Sequence, residues 1–265
     1  MKLGCIGFGN MAQAIVKGLL KKELIQKEDL IVSTYSPDSL KKIEENWQIS
    51  GTHVNQDVID ASDVILLAVK PHQMDNVLGR LSIPQDKLVL SVAAGYPSDR
   101  LKQFLSESQY LRTMPNLNAQ VEESMTAIVE NPSVSEENIK ITQDIFNAVG
   151  ETVIIPENQL NIFIGLAGSS PALVFLFIDT LARSAVRYGM KKDTAVKIAA
   201  QAVLGSGKTV KHASDSPQTL IDKVSSPGGI TVEAILHLLQ SDFSDSVIGA
   251  FDKMIEKDQA ISGKQ

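Results

Sequence analysis

Seven residues into the chain, Gly7-Phe8-Gly9-Asn10-Met11-Ala12 fits the pattern G-x-G-x-x-G/A, and it follows directly on an apolar run over residues 2–7 that reads as a strand. Apolar residues then recur at helical spacing over 11–22, at Met11, Ile15, Val16 and Leu19. A strand, a glycine turn and a helix in that order form the dinucleotide-binding fingerprint. The first glycine permits the tight turn, the second lets the backbone approach a pyrophosphate, and Ala12 is small enough for the helix to pack on the strand. The helix N-terminus faces the negative charge with unpaired N–H groups. The plainer alternative, a strand-to-helix turn without a ligand, is disfavoured by the βαβ setting.

That setting extends through the first half of the chain. Short β-rich runs at 30–33, 64–69, 88–92, 110–113, 125–129 and 152–155 alternate with helical patterns, of which 135–149 is the clearest, with Ile139, Ile141, Ile145, Phe146 and Val149. The expectation is a mostly parallel, doubly wound α/β sheet. Near Pro156 the strands stop, and the remaining hundred or so residues read as helix broken by loops near Gly189, at 214–217 and at 225–229. This change of pattern places a domain boundary near Pro156.

Composition narrows the ligand. With 43% hydrophobic and 21% charged residues over 265 positions, the chain is globular and can bury a core. Its 25 Lys and Arg against 31 Asp and Glu leave −6, so no global positive field attracts nucleic acid or an anionic membrane, and an anionic ligand must be held locally. Cys5 is the one cysteine, which excludes an internal disulfide and suits a reducing cytosol; no signal-peptide pattern precedes the first strand, so a cytoplasmic location is expected. His53, His72, His212 and His237 are scattered singly, and no metal site is expected. Gly205-Ser206-Gly207-Lys208-Thr209 ends like a P-loop, but Ala202 holds the place of the leading glycine and the preceding residues are helical in pattern. The stretch 158–178 carries no charge, yet Asn161, Ser169, Ser170 and Pro171 interrupt it. It reads as two helices buried all round at a subunit interface, in preference to a membrane span.

Two segments bear on which ligand binds. The second strand ends in Ser33-Thr34-Tyr35-Ser36-Pro37, where an NAD enzyme usually places an acid on the ribose hydroxyls. Asp38 comes too late. Ser33, Thr34 and Ser36 can donate to a 2′-phosphate, and Lys41 and Lys42 can add charge, so NADPH is expected, with NADH left open; otherwise these hydroxyls merely form the turn. Farther on, Pro227, Gly228 and Gly229 force an open loop before a helix over 234–240, whose first N–H groups can receive a small carboxylate. Thr231 stands at the helix entrance, and its hydroxyl either caps the helix or donates to a ligand.

Six motifs together resemble the pyrroline-5-carboxylate reductase family along nearly the whole chain. They are Ile6-Gly7-Phe8-Gly9-Asn10-Met11, Leu67-Ala68-Val69-Lys70-Pro71, Ser91-Val92-Ala93-Ala94-Gly95, Arg112-Thr113-Met114-Pro115-Asn116, Gly165-Leu166-Ala167-Gly168-Ser169 and Ser225-Ser226-Pro227-Gly228-Gly229. The resemblance implies an N-terminal Rossmann-type NADP-binding domain over 1–156 and an all-helical substrate-binding and dimerisation domain over 157–265. It further implies a homodimer that often assembles into a decamer. In that family the cofactor would meet Gly7, Phe8, Gly9, Asn10, Met11, Ser36, Asn55, Ala68, Val69, Lys70 and Pro71, with Ala93, Ala94 and Gly95 beside the nicotinamide. The substrate would meet Glu157 at its amine and Ser226, Gly228, Gly229 and Ile230 at its carboxylate. Thr231 would contact the ring nitrogen as the catalytic residue.

The implied reaction is NADPH-dependent reduction of a cyclic imine, 1-pyrroline-5-carboxylate, to L-proline. A cyclic imine is readily protonated, so no histidine or lysine is needed, and Thr231 can relay a proton from water. The chain departs from the family at Leu117-Asn118, Ser170, Ile230 and Gln240. A related 3-hydroxy acid dehydrogenase would want a general base such as lysine at the start of the helical domain, and 157–178 has none. A dinucleotide-binding regulatory protein without catalysis is the other alternative, supported only by the changes at Asn118 and Ser170.

Overall fold

The computed structural model describes residues 1–105 and 108–262. Among them eight strands form one sheet: β1 (Leu3–Ile6), β2 (Leu30–Ser33), β3 (Ser50–Thr52), β4 (Val64–Leu67), β5 (Leu88–Ser91), β6 (Gln109–Met114), β7 (Ser124–Val129) and β8 (Gly150–Ile155). Their spatial order is β3-β2-β1-β4-β5-β6-β7-β8. All neighbours run parallel except β6 and β7, which meet antiparallel through Thr113↔Ile128 and Met114↔Ala127. The chain winds outward from β1 to β3, then returns to lay β4 on the other side of β1. The order therefore reverses between β1 and β4, and the carboxyl ends of these two strands flank the crevice where such sheets bind ligands.

Six helices accompany the strands: α1 (Asn10–Lys21), α2 (Pro37–Trp47), α3 (Asn55–Ala61), α4 (Met74–Leu78), α5 (Ser98–Leu105) and α6 (Glu136–Asn147). Leu3, Cys5, Val64, Leu66, Leu88 and Leu90 join α1 and α6 in one apolar layer; Ile6, Ile65, Leu67 and Val89 join α3, α4 and α5 in another. Both phases of the strand alternation are apolar because both faces of a parallel sheet are covered. Burying one such leucine or isoleucine contributes about 1.5–3 kcal/mol. The edge strand β3 lies outside the runs expected from sequence. Its three residues, Ser50-Gly51-Thr52, are too few and too polar to show a period, and only the pairing with Ile31, Val32 and Ser33 makes them a strand.

The helical remainder comprises α7 (Leu160–Phe163), α8 (Ser170–Arg187), α9 (Lys192–His212), α10 (Pro217–Val224), α11 (Ile230–Leu239) and α12 (Phe243–Ser262). The chain forms two compact units, Met1–Gly168 with the stretch from Ile255 onward, and Ser169–Met254. Residues 157–168 side with the sheet because Leu160 and Phe163 pack with Met114, Ala127 and Val129.

One expectation for 158–178 is corrected. In place of two separate helices, a π turn (Ile164–Ser169) joins α7 to α8 in one continuous run. The cause is Pro171, which has no N–H to offer the carbonyl of Ala167 four residues back and whose ring crowds that carbonyl. The widened turn frees the Ala167 oxygen, which accepts a hydrogen bond from the Asn116 side-chain amide at 2.9 Å. Within one chain Val174, Phe175, Leu176 and Phe177 are exposed, an apolar surface of the kind the expected subunit interface would cover. By length and composition Glu157–Arg187 could cross a membrane. The P-loop-like residues 205–209 lie inside α9, with Ser206 and Thr209 hydroxyls bonded to the Ala202 and Gly205 carbonyls, so no loop exists there to cradle a phosphate.

Candidate active site

The crevice between β1 and β4 begins at Gly7. Its φ of +87° and the 2.8 Å that would separate a Cβ from the Ala68 carbonyl both require glycine. Its N–H donates to Ser33 O at 3.0 Å, tying the turn to β2. Gly9 is the N-cap residue of α1 and offers no side-chain cap, while a Cβ built there meets nothing within 4 Å. Open space above unpaired helix N–H groups is what an approaching pyrophosphate needs. Phe8 turns its ring inward against Trp47, edge to face at 5.2 Å, leaving only its backbone to a ligand.

Two adjoining clefts open here. The first, about 700 Å³, is lined by Gly7, Phe8, Gly9, residues 33–35, His53, Asn55, Lys70 and Arg80 among others. The second, about 510 Å³, runs past Asn10, Met11, Ala12, Pro71, Ala93, Ala94 and Leu117. Gly9, Ala68, Val69 and Lys70 belong to both, so the clefts form one groove suited to a two-part ligand. The Ser33 hydroxyl, buried at the first cleft, has no hydrogen-bond partner among the described residues, an orphan that a bound polar ligand would satisfy.

Most of the cofactor residues expected from the resemblance line this groove, but Ser36 and Gly95 do not. The Ser36 hydroxyl caps α2, accepting from Ser39 N. Gly95 supplies a turn at φ +75°, and the next residue, Tyr96, donates from its hydroxyl to Asp75 at 2.5 Å; Arg100 pairs with the same carboxylate. Tyr96 and Arg100 together hold the Asp75 carboxyl below its ordinary range. That clamp fixes the segment carrying Ala93 and Ala94. His53, set aside in the sequence as one of four scattered histidines, lies in the groove with its Nδ1 at 2.8 Å from the Thr34 carbonyl. The signal that could have found it is its place directly after β3, a strand invisible to periodicity.

Glu157 follows Pro156 and is already engaged. Its carboxylate accepts from the Ser98 backbone N–H at 2.9 Å and from the buried Arg112 guanidinium at 2.7 Å. Burial raises its pKa, but the Ser98 and Arg112 bonds outweigh that and hold the carboxyl below its ordinary value, so it is ionised at neutral pH.

In the helical unit, α10 gives way to the loop 225–229. Gly228 has φ +68°, and Gly229 N donates to Ser226 O at 2.9 Å, closing a tight turn. The next helix starts at Ile230, four residues before the expected start, because Gly229 is its N-cap and the residues after it are already helical. Thr231 is thus in the first turn and is not the cap. Among the described residues its hydroxyl has no hydrogen-bond partner. The Ser225 hydroxyl is buried and likewise unpaired, whereas the Ile230 side chain is almost fully exposed. This loop therefore presents helix N–H groups and the free hydroxyl of Thr231, a donor set for a small anion beside a nitrogen.

Comparisons with known proteins cover the chain nearly end to end. Residues 157–261 match the family model described as pyrroline-5-carboxylate reductase dimerisation, and residues 2–95 match the one described as NADP oxidoreductase coenzyme F420-dependent. The pyrroline-5-carboxylate reductase of Escherichia coli is 39% identical, with 98% of each chain covered. The solved structure of the Streptococcus pyogenes 1-pyrroline-5-carboxylate reductase superposes with a TM-score of 0.87 at 38% identity, covering 98% of both chains. That of the Plasmodium falciparum enzyme, solved with NADP bound, gives 0.85 at 28% identity, covering 99% of this chain and 98% of that one.

Proposed function

The chain belongs to the pyrroline-5-carboxylate reductase family, and from that premise we propose that it reduces 1-pyrroline-5-carboxylate to L-proline, with NADPH as the preferred hydride source. It is an oxidoreductase of proline biosynthesis, and it uses a nicotinamide dinucleotide. The observation that carries this reading is the Pro-Gly-Gly loop, where the free hydroxyl of Thr231 stands on the first turn of α11 beside unpaired N–H groups.

Residues 1–156 hold the dinucleotide, and residues 157–265 hold the substrate and a second chain. When bound, the cofactor supplies the hydride; the protein supplies position and electrostatics. The groove at Gly7, Gly9, Lys70 and Ala93 orients the dinucleotide. Ser226, Gly228 and Ile230 bind the substrate carboxylate through backbone N–H groups, Gly229 shapes the turn around it with its own N–H held by the Ser226 carbonyl, and Thr231 donates to the ring nitrogen and passes on a proton from water. Glu157, ionised, is assigned to the substrate amine.

Homo-oligomerisation accords with the exposed apolar residues of α8, and we extend it to a decamer of five dimers. A single buried cysteine, whose thiol burial pushes up to about 12, suits the cytoplasm. Purified protein mixed with NADPH and pyrroline-5-carboxylate should consume NADPH absorbance, with a higher kcat/KM than with NADH. Absence of turnover with both cofactors would overturn the activity, and equal or reversed efficiencies would overturn the NADPH preference alone.

A further inference from the structure

The first cleft is charged against the trend of the chain. The protein carries −6 overall, yet among the described residues the lining of this cleft contains Lys70, Arg80 and His53 and no aspartate or glutamate. Lys70 also lines the second cleft, so it stands where the two halves of the groove meet and falls to the pyrophosphate. That leaves His53 and Arg80 without a role.

His53 is placed by a specific bond. A carbonyl oxygen only accepts, so the 2.8 Å contact with Thr34 O puts the proton on Nδ1 and leaves Nε2 as the ring nitrogen available to a ligand. Thr34 immediately follows β2, the position from which an acidic side chain would hold the ribose of NAD. The imidazole thus occupies the ribose-recognition corner, and as an imidazolium it donates from Nε2. Arg80 lines the same cleft with no ion-pair partner among the described residues, and its guanidinium has the fork geometry that phosphate oxygens accept. The lysines expected to do this work do not line the cleft: Lys41 is 3.8 Å from Glu45 on the exposed side of α2, and Lys42 is exposed beside it.

We propose that His53 and Arg80 receive the phosphate on the adenosine ribose of NADPH, and that this pair, in place of Lys41 and Lys42, sets the choice between the two nicotinamide dinucleotides. The proposal rests on the NADPH reading above, and a test on fragments of the cofactor separates the two. Calorimetric titration of the full chain compares adenosine 2′,5′-bisphosphate with adenosine 5′-monophosphate, without turnover. The unaltered protein should bind the bisphosphate more tightly. His53→Asn keeps a donor for the Thr34 carbonyl but has no atom at the Nε2 position, and Arg80→Gln removes the charge at similar length. Each should weaken the bisphosphate about tenfold while changing the monophosphate by less than about twofold, the loss expected of one hydrogen bond to a charged group.

Equal weakening of both fragments would make the residues structural and overturn the proposal. So would an unchanged bisphosphate affinity in both variants, with Lys41→Gln or Lys42→Gln causing the loss instead. If the unaltered protein fails to discriminate between the fragments, the NADPH preference itself falls and the proposal with it.

Discussion

In the unit that holds the sheet, Ile65, Leu66 and Phe146 are sealed from water by helices on both faces, whereas along α8 of the other unit Phe175 is 52% and Leu176 63% exposed. Both segments are strongly apolar in sequence. The sheet finds its cover within the same chain, because each crossover helix returns to a face of the strands it connects. The helices lack such a cover, and a run of open phenylalanine and leucine side chains exceeds what a monomer ordinarily leaves to solvent. One unit is a finished core, and the other is half of one.

Replacing residues in both places should break this comparison if it is wrong, and the largest effect belongs to the open face. Leu176→Glu should dissociate the protein to a 28.7 kDa species by light scattering at micromolar concentration, whereas Leu66→Ala, in the sealed core, should cost about 2–5 kcal/mol in urea unfolding without changing the assembly of the folded fraction. An undiminished assembly in Leu176→Glu would show that face to be solvent surface.

A smaller effect separates capping from catalysis in the helical unit. Since Gly229 caps α11, Thr231→Ala should shift stability by less than about 0.5 kcal/mol. In the same variant kcat should fall roughly ten- to a hundredfold with dinucleotide affinity unchanged, and Thr231→Ser should recover much of it. Unchanged kinetics in the folded variant would deprive Thr231 of its role.

The smallest effect lies in the sheet unit. The folded-state pKa of Glu157 is lowered, so its bonds to Arg112 and Ser98 contribute stability above the unfolded value of about 4.3, and that contribution is lost as pH falls through the lower folded value. Thermal melts of the unaltered protein should therefore drop more steeply on acidification below about pH 4.3 than those of Glu157→Gln. The carboxylate is 39% exposed, so the difference should stay near or below about 1 kcal/mol. Parallel melting curves would mean that the pair adds nothing.

How legible each part is depends on the range of its causes. The glycine turn, seven of the strands and the crossover helices α1 and α6 are readable because turn chemistry and apolar period are local. The start of α11 is misplaced by sequence reasoning because Thr231 and Ala234 look equally suited to a first turn until the Gly228 φ and the Ser226–Gly229 bond decide where the helix begins. β3 and His53 escape together: a three-residue polar edge strand has no period of its own, and the histidine is meaningful only once that strand delivers it to the Thr34 carbonyl.

From the sequence alone come the fold class, the glycine turn after β1 and the open Pro-Gly-Gly loop, since each is written in adjacent residues whose backbone needs are strict. Tertiary structure alone decided that Arg112 and Ser98 hold Glu157, that Asn116 takes up the carbonyl released opposite Pro171, and that His53, Lys70 and Arg80 line one cleft. Those partners lie tens of residues apart, and a hydrogen bond or a charged pocket depends on where the chain returns, which no local spacing encodes.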